Sequence, residues 1–197
     1  MDPKPPQQYE LFADRPWRSP RVQDGSPAPV MAPEVLQSWQ SRIVAYQKQV
    51  RDRGLAQQSS LLDLDTPPAP AIDPWDLDRY PPDFYRYLRG DRGDACLYFV
   101  LDRRQELLLY IGETVHSRQR WRGDHDCKRY LDQYHTLHLS LGLPAPTVDL
   151  CFWWDAPQNT RQRQALEQQQ IRQWRSPFNK ENWQHWQTPF VPVNIQY

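Results

Sequence analysis

Two apolar runs constrain this chain more than anything else in it. Cys96–Leu101 reads CLYFVL and Leu107–Gly112 reads LLLYIG, with the polar DRRQE between them. Two aliphatic and aromatic runs joined by a polar turn predict a β-hairpin. A third run of the same kind, VDLCFWWD, begins at Val148. Between the second and third runs, Tyr130, Tyr134, Leu137 and Leu141 recur at helical spacing. After the third comes NTRQRQALEQQQIRQWR, a helix with Asn159 or Thr160 as cap. Leu166, Ile171 and Trp174 line its buried side, and Pro177 stops it. The order is β-β-α-β-α, which predicts an α+β fold: a small three-stranded antiparallel sheet flanked by helices.

The N-terminal half is different in kind. Residues 1–32 are rich in Pro, Gln, Ser and Asp without periodicity and read as disordered, pinned at most by Leu11, Phe12 and Trp17. From Pro33, Val35, Leu36, Trp39, Ile43, Tyr46 and Val50 fall at helical spacing, with Gly54 as the stop. Repeated Pro and Asp over 56–83 argue against a strand or a long helix there. Trp75, Leu77 and Tyr80 instead suggest an extended segment lying on a domain surface, with a short helix at PDFYRYLRG. The expected division is 1–32 disordered, 33–94 a helix plus a proline-rich extended segment, 95–182 the folded domain, and 183–197 an irregular aromatic arm.

Composition narrows the function classes. The chain has 197 residues with 20 prolines against 7 glycines, but also 9 tryptophans and 10 tyrosines, so its compact part leans on aromatic burial. Mean hydropathy is −0.89. Formal net charge is zero, so any phosphate-binding surface must come from local placement of cations rather than bulk charge. Cys96, Cys127 and Cys151 are odd in number and form no CxxC pair, which fits packing thiols in a reducing compartment. No run approaches membrane-span length, and MDPKPPQQYE lacks the apolar core of a signal peptide; a cytoplasmic protein with no membrane partner is expected.

The stretch LLYIGETVHSRQRW, Leu108–Trp121, runs a strand straight into arginines. That is an ordinary solvated helix or an active site at a strand end. Tyr110-Ile111-Gly112 (YIG) follows CLY, which ends at Tyr98, and Arg120 lies eight residues after Gly112. Glu167 is on the late helix, and SPFN, ending at Asn179, follows twelve residues later. In these elements and their order, residues 95–182 resemble the GIY-YIG nuclease domain. Cys96 stands where the first glycine of GIY would be, and Ser117 where leucine is usual.

The resemblance implies hydrolysis of phosphodiester bonds in nucleic acid, DNA favoured, with one divalent cation, Mg²⁺ or Mn²⁺, held by Glu167. Tyr98 and Tyr110 would orient or activate water, Arg120 would grip the phosphate with its forked donors, and His125 would serve as a base or proton relay. Gly112 and Asn179 would support the site, and Arg118 and Arg122 would add phosphate-binding charge. Taken singly, the tyrosines can equally be sheet aromatics, Arg120 a solvated arginine and Glu167 an ordinary helix glutamate. A phenol used as a base needs a nearby metal or cation to lower its pKa. Glu113 follows YIG directly, where some family members carry lysine; a carboxylate there repels phosphate unless it binds metal or turns away.

The alternative is a binding module for nucleic acid or protein that keeps the fold with weak or no catalysis, its N-terminal helix docking on a partner or on the domain itself. His116, His125, Cys127, His135 and His138 also cluster in sequence, but His125-x-Cys127 is a poor zinc spacing and helix-face histidines are the preferred reading. Trp174, Trp183 and Trp186 are expected to pack against the sheet rather than stack on bases.

Overall fold

The computed structural model describes residues 32–52, 70–87 and 95–189. Within them, β2 (Cys96–Asp102) and β3 (Leu107–Thr114) form the expected antiparallel hairpin. Its turn closes on Glu106 at a left-handed φ of 52°. β4 (Val148–Trp153) pairs antiparallel with the other side of β2. β2 is therefore central, and all seven of its residues are buried. Its alternate side chains feed two cores. Cys96, Tyr98 and Val100 join Leu150 and Phe152 of β4 on one face, against α1 (Pro33–Asp52) and α3 (Asp126–Ser140). Leu97, Phe99 and Leu101 join Cys151 on the other, against Leu166, Ile171 and Trp174 of α4 (Thr160–Trp174). Each large side chain fully buried in these cores contributes on the order of 1.5–3 kcal/mol relative to exposure.

The sheet has four strands, not the three expected. β1 (Arg79–Tyr80) pairs with Cys151 and Leu150 of β4, giving the order β1-β4-β2-β3. This corrects the reading of 56–83 as free of strand. Two residues hemmed in by Asp78 and Pro81 show no alternation for a sequence pattern to detect, and an edge position tolerates the flanking proline. PDFYRYLRG contributes one 3₁₀ turn, Phe84–Arg86. The basic-aromatic stretch divides at Gly123 into α2 (Ser117–Arg122) and α3. The C-terminal segment is less irregular than expected: α5 (Trp183–Trp186) is a helical turn, and Trp186 is buried. The segment expected to be disordered, the Gly54 helix stop and residues 190–197 lie outside the described residues.

α1 belongs to the same core as the domain at 95–182. Leu36, Trp39 and Ile43 are buried in it, and the Trp39 indole N–H donates to the Trp186 carbonyl at 3.0 Å. Tyr46 donates to the Gln173 carbonyl at 3.0 Å. Its helical pattern is one-sided for this reason: Val35, on the outer face, is 53% exposed.

The free edge of β3 is closed by two side-chain amides. Gln47 of α1 accepts from Leu108 N at 2.9 Å and donates to Leu108 O at 3.0 Å. Asn179 accepts from Ile111 N at 3.0 Å and donates to Ile111 O at 2.9 Å. Between them, Phe178 N donates to Leu109 O at 2.9 Å. An exposed strand edge is a template for unwanted pairing; here these contacts stand in for a fifth strand. Cys96, Cys127 and Cys151 are free and buried. No helix among the described residues is long and apolar enough to cross a membrane.

Candidate active site

The fold brings residues from four elements to one cleft of about 300 Å³. Its lining includes Tyr98 of β2, Tyr110 and Glu113 of β3, Arg120 of α2, and Arg163 and Glu167 of α4. Tyr98 and Tyr110 reach it because of the hairpin register. Tyr98 lies opposite Gly112 and Val100 opposite Tyr110, which sets the two phenols diagonally across the ladder. Their rings stack with centroids 6.0 Å apart. The register slips between Val100 and Leu101, so Leu109 and Tyr110 pack against the same core face although they are adjacent in sequence.

Gly112 is required by close approach. A Cβ there would overlap the ring carbons and hydroxyl of Tyr98. The third letter of YIG is therefore the floor under the tyrosine of CLY. The second letter is held by Asn179, whose acceptor oxygen is itself fixed by the Ser176 hydroxyl at 2.6 Å.

Arg120 comes from the short helix just past the end of β3. Its Nε donates to the Tyr98 hydroxyl at 3.3 Å. Trp121, the next residue, is buried edge-on against Tyr98 at 5.7 Å and anchors α2. Burial holds the Tyr98 hydroxyl well above its ordinary pKa, with Tyr110 adding to the effect. The Tyr110 hydroxyl is raised too, by burial first, then by Cys127 and by Glu167. Both phenols are neutral at physiological pH and can donate hydrogen bonds.

Glu167 has an unusual carboxylate for a helix surface. Its pKa is pushed up to about 7, by burial first and by Glu113 and Glu181 next. The main-chain N–H of Glu113 and the charge of Arg120 work in the opposite direction. No cation among the described residues is in ion-pair contact with it. A hard, half-buried oxygen donor with surplus negative charge suits a hard divalent cation that takes the rest of its shell from water and phosphate. The described residues hold no group of three or more His, Cys, Asp or Glu that would form an all-protein cage. That donor set fits Mg²⁺ or Mn²⁺ far better than structural zinc.

Three candidates stand apart from the cleft. His125 is not in its lining. The imidazole packs edge-on to Trp121 at 5.0 Å, and both its ring nitrogens are buried without a hydrogen-bond partner. Burial, and then the charge of Arg120, push its pKa down to about 3, so it is neutral at physiological pH. Arg118 turns to the Phe84 turn and donates to the Tyr85 carbonyl at 3.1 Å. Arg122 is exposed and also absent from the lining.

Arg163 is the residue that sequence reasoning missed. Its side chain is 3% exposed and meets the Glu113 carboxylate at 2.5 Å. It also donates to the Pro157 and Gln158 carbonyls, each at 3.0 Å. The available signal was its spacing: four residues before Glu167 on one helix, hence on the same face. Glu113, whose carboxylate alone would repel phosphate, is thus neutralised by a fixed cation. Trp174 and Trp186 are buried packing residues. Comparisons with protein-family models, curated proteins and solved structures give no match for this chain.

Proposed function

We propose that the cleft is the active site of a metal-dependent endonuclease that hydrolyses phosphodiester bonds in nucleic acid, with DNA the favoured substrate. One observation carries the reading: Tyr98, Tyr110, Arg120 and Glu167, drawn from β2, β3, α2 and α4, line a single cleft. These are the four side chains that the resemblance to the GIY-YIG nuclease domain singles out for chemistry. A strand aromatic, a solvated arginine and an ordinary helix glutamate have no reason to converge.

The roles follow from the geometry. Tyr98 occupies the Nε of Arg120, which orients the guanidinium and leaves its terminal nitrogens for two phosphate oxygens. A fixed fork in a partly desolvated cleft neutralises charge as it builds in the transition state. The neutral Tyr98 and Tyr110 hydroxyls position the attacking water by hydrogen bonding. Glu167 would hold the divalent cation, which when bound supplies Lewis-acid stabilisation and eases water ionisation. His125 takes no step in this scheme, since its nitrogens do not face the cleft.

A second reading, a nucleic-acid or protein-binding module with weak or no catalysis, is favoured by one observation. Arg118 is turned to the Tyr85 carbonyl and Arg122 is outside the lining, which leaves Arg120 as the cation of the lining without an ion-pair partner among the described residues. The test is to incubate plasmid, linear and branched DNA with Mg²⁺ or Mn²⁺. The endonuclease reading expects cleavage by the wild type and its loss in Glu167→Ala and Arg120→Ala. DNA binding by the wild type without cleavage in any metal overturns it in favour of the binding module.

A further inference from the structure

Glu113 is gripped by α4. Its carboxylate pairs with Arg163, one helical turn before Glu167. Arg163 is itself immovable: it is buried, and its other terminal nitrogens are spent on the Pro157 and Gln158 carbonyls and, at 3.5 Å, the Thr160 hydroxyl. These acceptors belong to the turn that starts α4, where Asn159 caps the helix by accepting from Gln162 N at 3.2 Å. Arg163 therefore ties the N-terminus of α4 to the end of β3.

Building on the endonuclease reading, we propose that Arg163 is a positioning residue that holds the Glu113 carboxylate off the path of the phosphate, so that the cleft offers a cation one free carboxylate, Glu167. The cleft wall then carries two acids but only one uncompensated negative charge. Without Arg163, Glu113 stands as a second free carboxylate beside the phosphate site. Lysine is a poor substitute, since one ammonium cannot reach a carboxylate, two carbonyls and a hydroxyl in the arrangement of a guanidinium fork.

The experiment measures binding apart from cleavage. A short fluorescent DNA is titrated in Ca²⁺, and Mn²⁺ binding is followed by its paramagnetic signal, with melting curves run alongside. Arg163→Met is expected to weaken DNA binding at least tenfold. The double variant Glu113→Gln with Arg163→Met, which removes the unpaired charge, is expected to return to within about threefold of wild type. Glu113→Gln alone keeps an acceptor for Arg163. It should hold Mn²⁺ within about threefold of wild type, whereas Glu167→Gln loses at least tenfold.

A merely structural Arg163 gives no rescue in the double variant, and that result overturns the proposal. A tenfold loss of Mn²⁺ in Glu113→Gln overturns it too, since Glu113 would then be a ligand. The Glu113→Gln measurement does not depend on Arg163→Met folding. If the wild type cleaves DNA and the rescue fails, this role falls while the endonuclease reading stands. If the wild type binds neither Mn²⁺ nor DNA, both fall.

Discussion

Asp102, at one end of β2, and Tyr98, four residues earlier, sit in two buried polar clusters that differ in one respect. Around Asp102 every bond is closed. Its carboxylate accepts from the Tyr134 hydroxyl at 3.1 Å, from Arg104 N at 3.0 Å and from Thr147 N at 3.2 Å. Gln40 of α1 donates to the Tyr134 oxygen at 2.6 Å and to His138 Nε2 at 3.0 Å. His138 Nδ1–H donates to the Pro144 carbonyl at 2.8 Å, which leaves Nε2 free to accept from Gln40. In the cleft, by contrast, Glu167 has no ion-pair partner among the described residues, Arg120 keeps donors in reserve, and Tyr110 is only half-buried. A buried polar network whose members are all satisfied specifies structure. Burial raises the pKa of the acid in both clusters, so openness is the difference: a network left open to a cleft is where chemistry is expected. Both clusters contain tyrosine and acid, so residue type alone does not separate them.

The sharpest way to break this contrast is to neutralise one acid in each cluster. Glu167→Gln should lower cleavage by at least about 10²-fold, as expected for loss of a metal ligand, and leave the melting temperature at pH 7 unchanged or raised. Asp102→Ala should do the reverse. Three donors lose their acceptor, at a cost of about 3 kcal/mol and a fall in Tm of roughly 10 °C, with Mn²⁺ affinity unchanged. A loss of Mn²⁺ affinity in Asp102→Ala would erase the distinction between the clusters.

Gly112→Ala tests how the cleft is floored. The added methyl meets the Tyr98 ring, and relieving the overlap should cost about 1–3 kcal/mol. It should also lower cleavage, because the Tyr98 hydroxyl moves away from Arg120. An alanine variant with wild-type Tm and activity would mean that Tyr98 does not rest on Gly112.

His125→Phe carries the smallest effect. Both imidazole nitrogens lack partners, so an apolar ring of similar shape should stabilise the protein by about 1 kcal/mol at pH 7. The pH dependence fixes the sign. His125 has a folded pKa lowered to about 3 from an ordinary 6.5, so its burial destabilises the fold increasingly as pH falls below 6.5. Glu167 runs the other way: its pKa is raised from 4.5 to about 7, so its contribution favours folding below 4.5 and is lost as pH rises toward 7. Melting curves from pH 4 to 8 should therefore lose their acid-side fall in His125→Phe and their neutral-side fall in Glu167→Gln. A drop in cleavage of 10²-fold or more in His125→Phe would return that residue to the chemistry.

Much of the scaffold was legible along the chain. CLYFVL, LLLYIG and VDLCFW are in strands, the helix at Thr160–Trp174 is capped by Asn159, and α1 begins at Pro33. Each has a local cause: a run, a period or a cap. β1 has none, since two residues between Asp and Pro are a strand only because β4 offers an edge to pair with. The site divides in the same way. Tyr98, Tyr110, Arg120 and Glu167 are singled out in the sequence only through the resemblance, since each alone reads as an ordinary structural residue. His125 and Arg118 have the same chemical credentials and are turned elsewhere by the packing of Trp121 and Tyr85.

The sequence by itself determined which segments are apolar on one side or both, where helices start, and which side chains have the functional groups for phosphate chemistry. These are properties of short windows, set by periodicity and local hydrogen bonding. Only the tertiary structure decided charge. Glu113 and Arg163 are fifty residues apart, and their pairing neutralises a carboxylate that would otherwise stand free in the cleft. The reason is physical: an ionisable group's strength depends on the solvent it loses and the charges it meets, and the fold alone sets both.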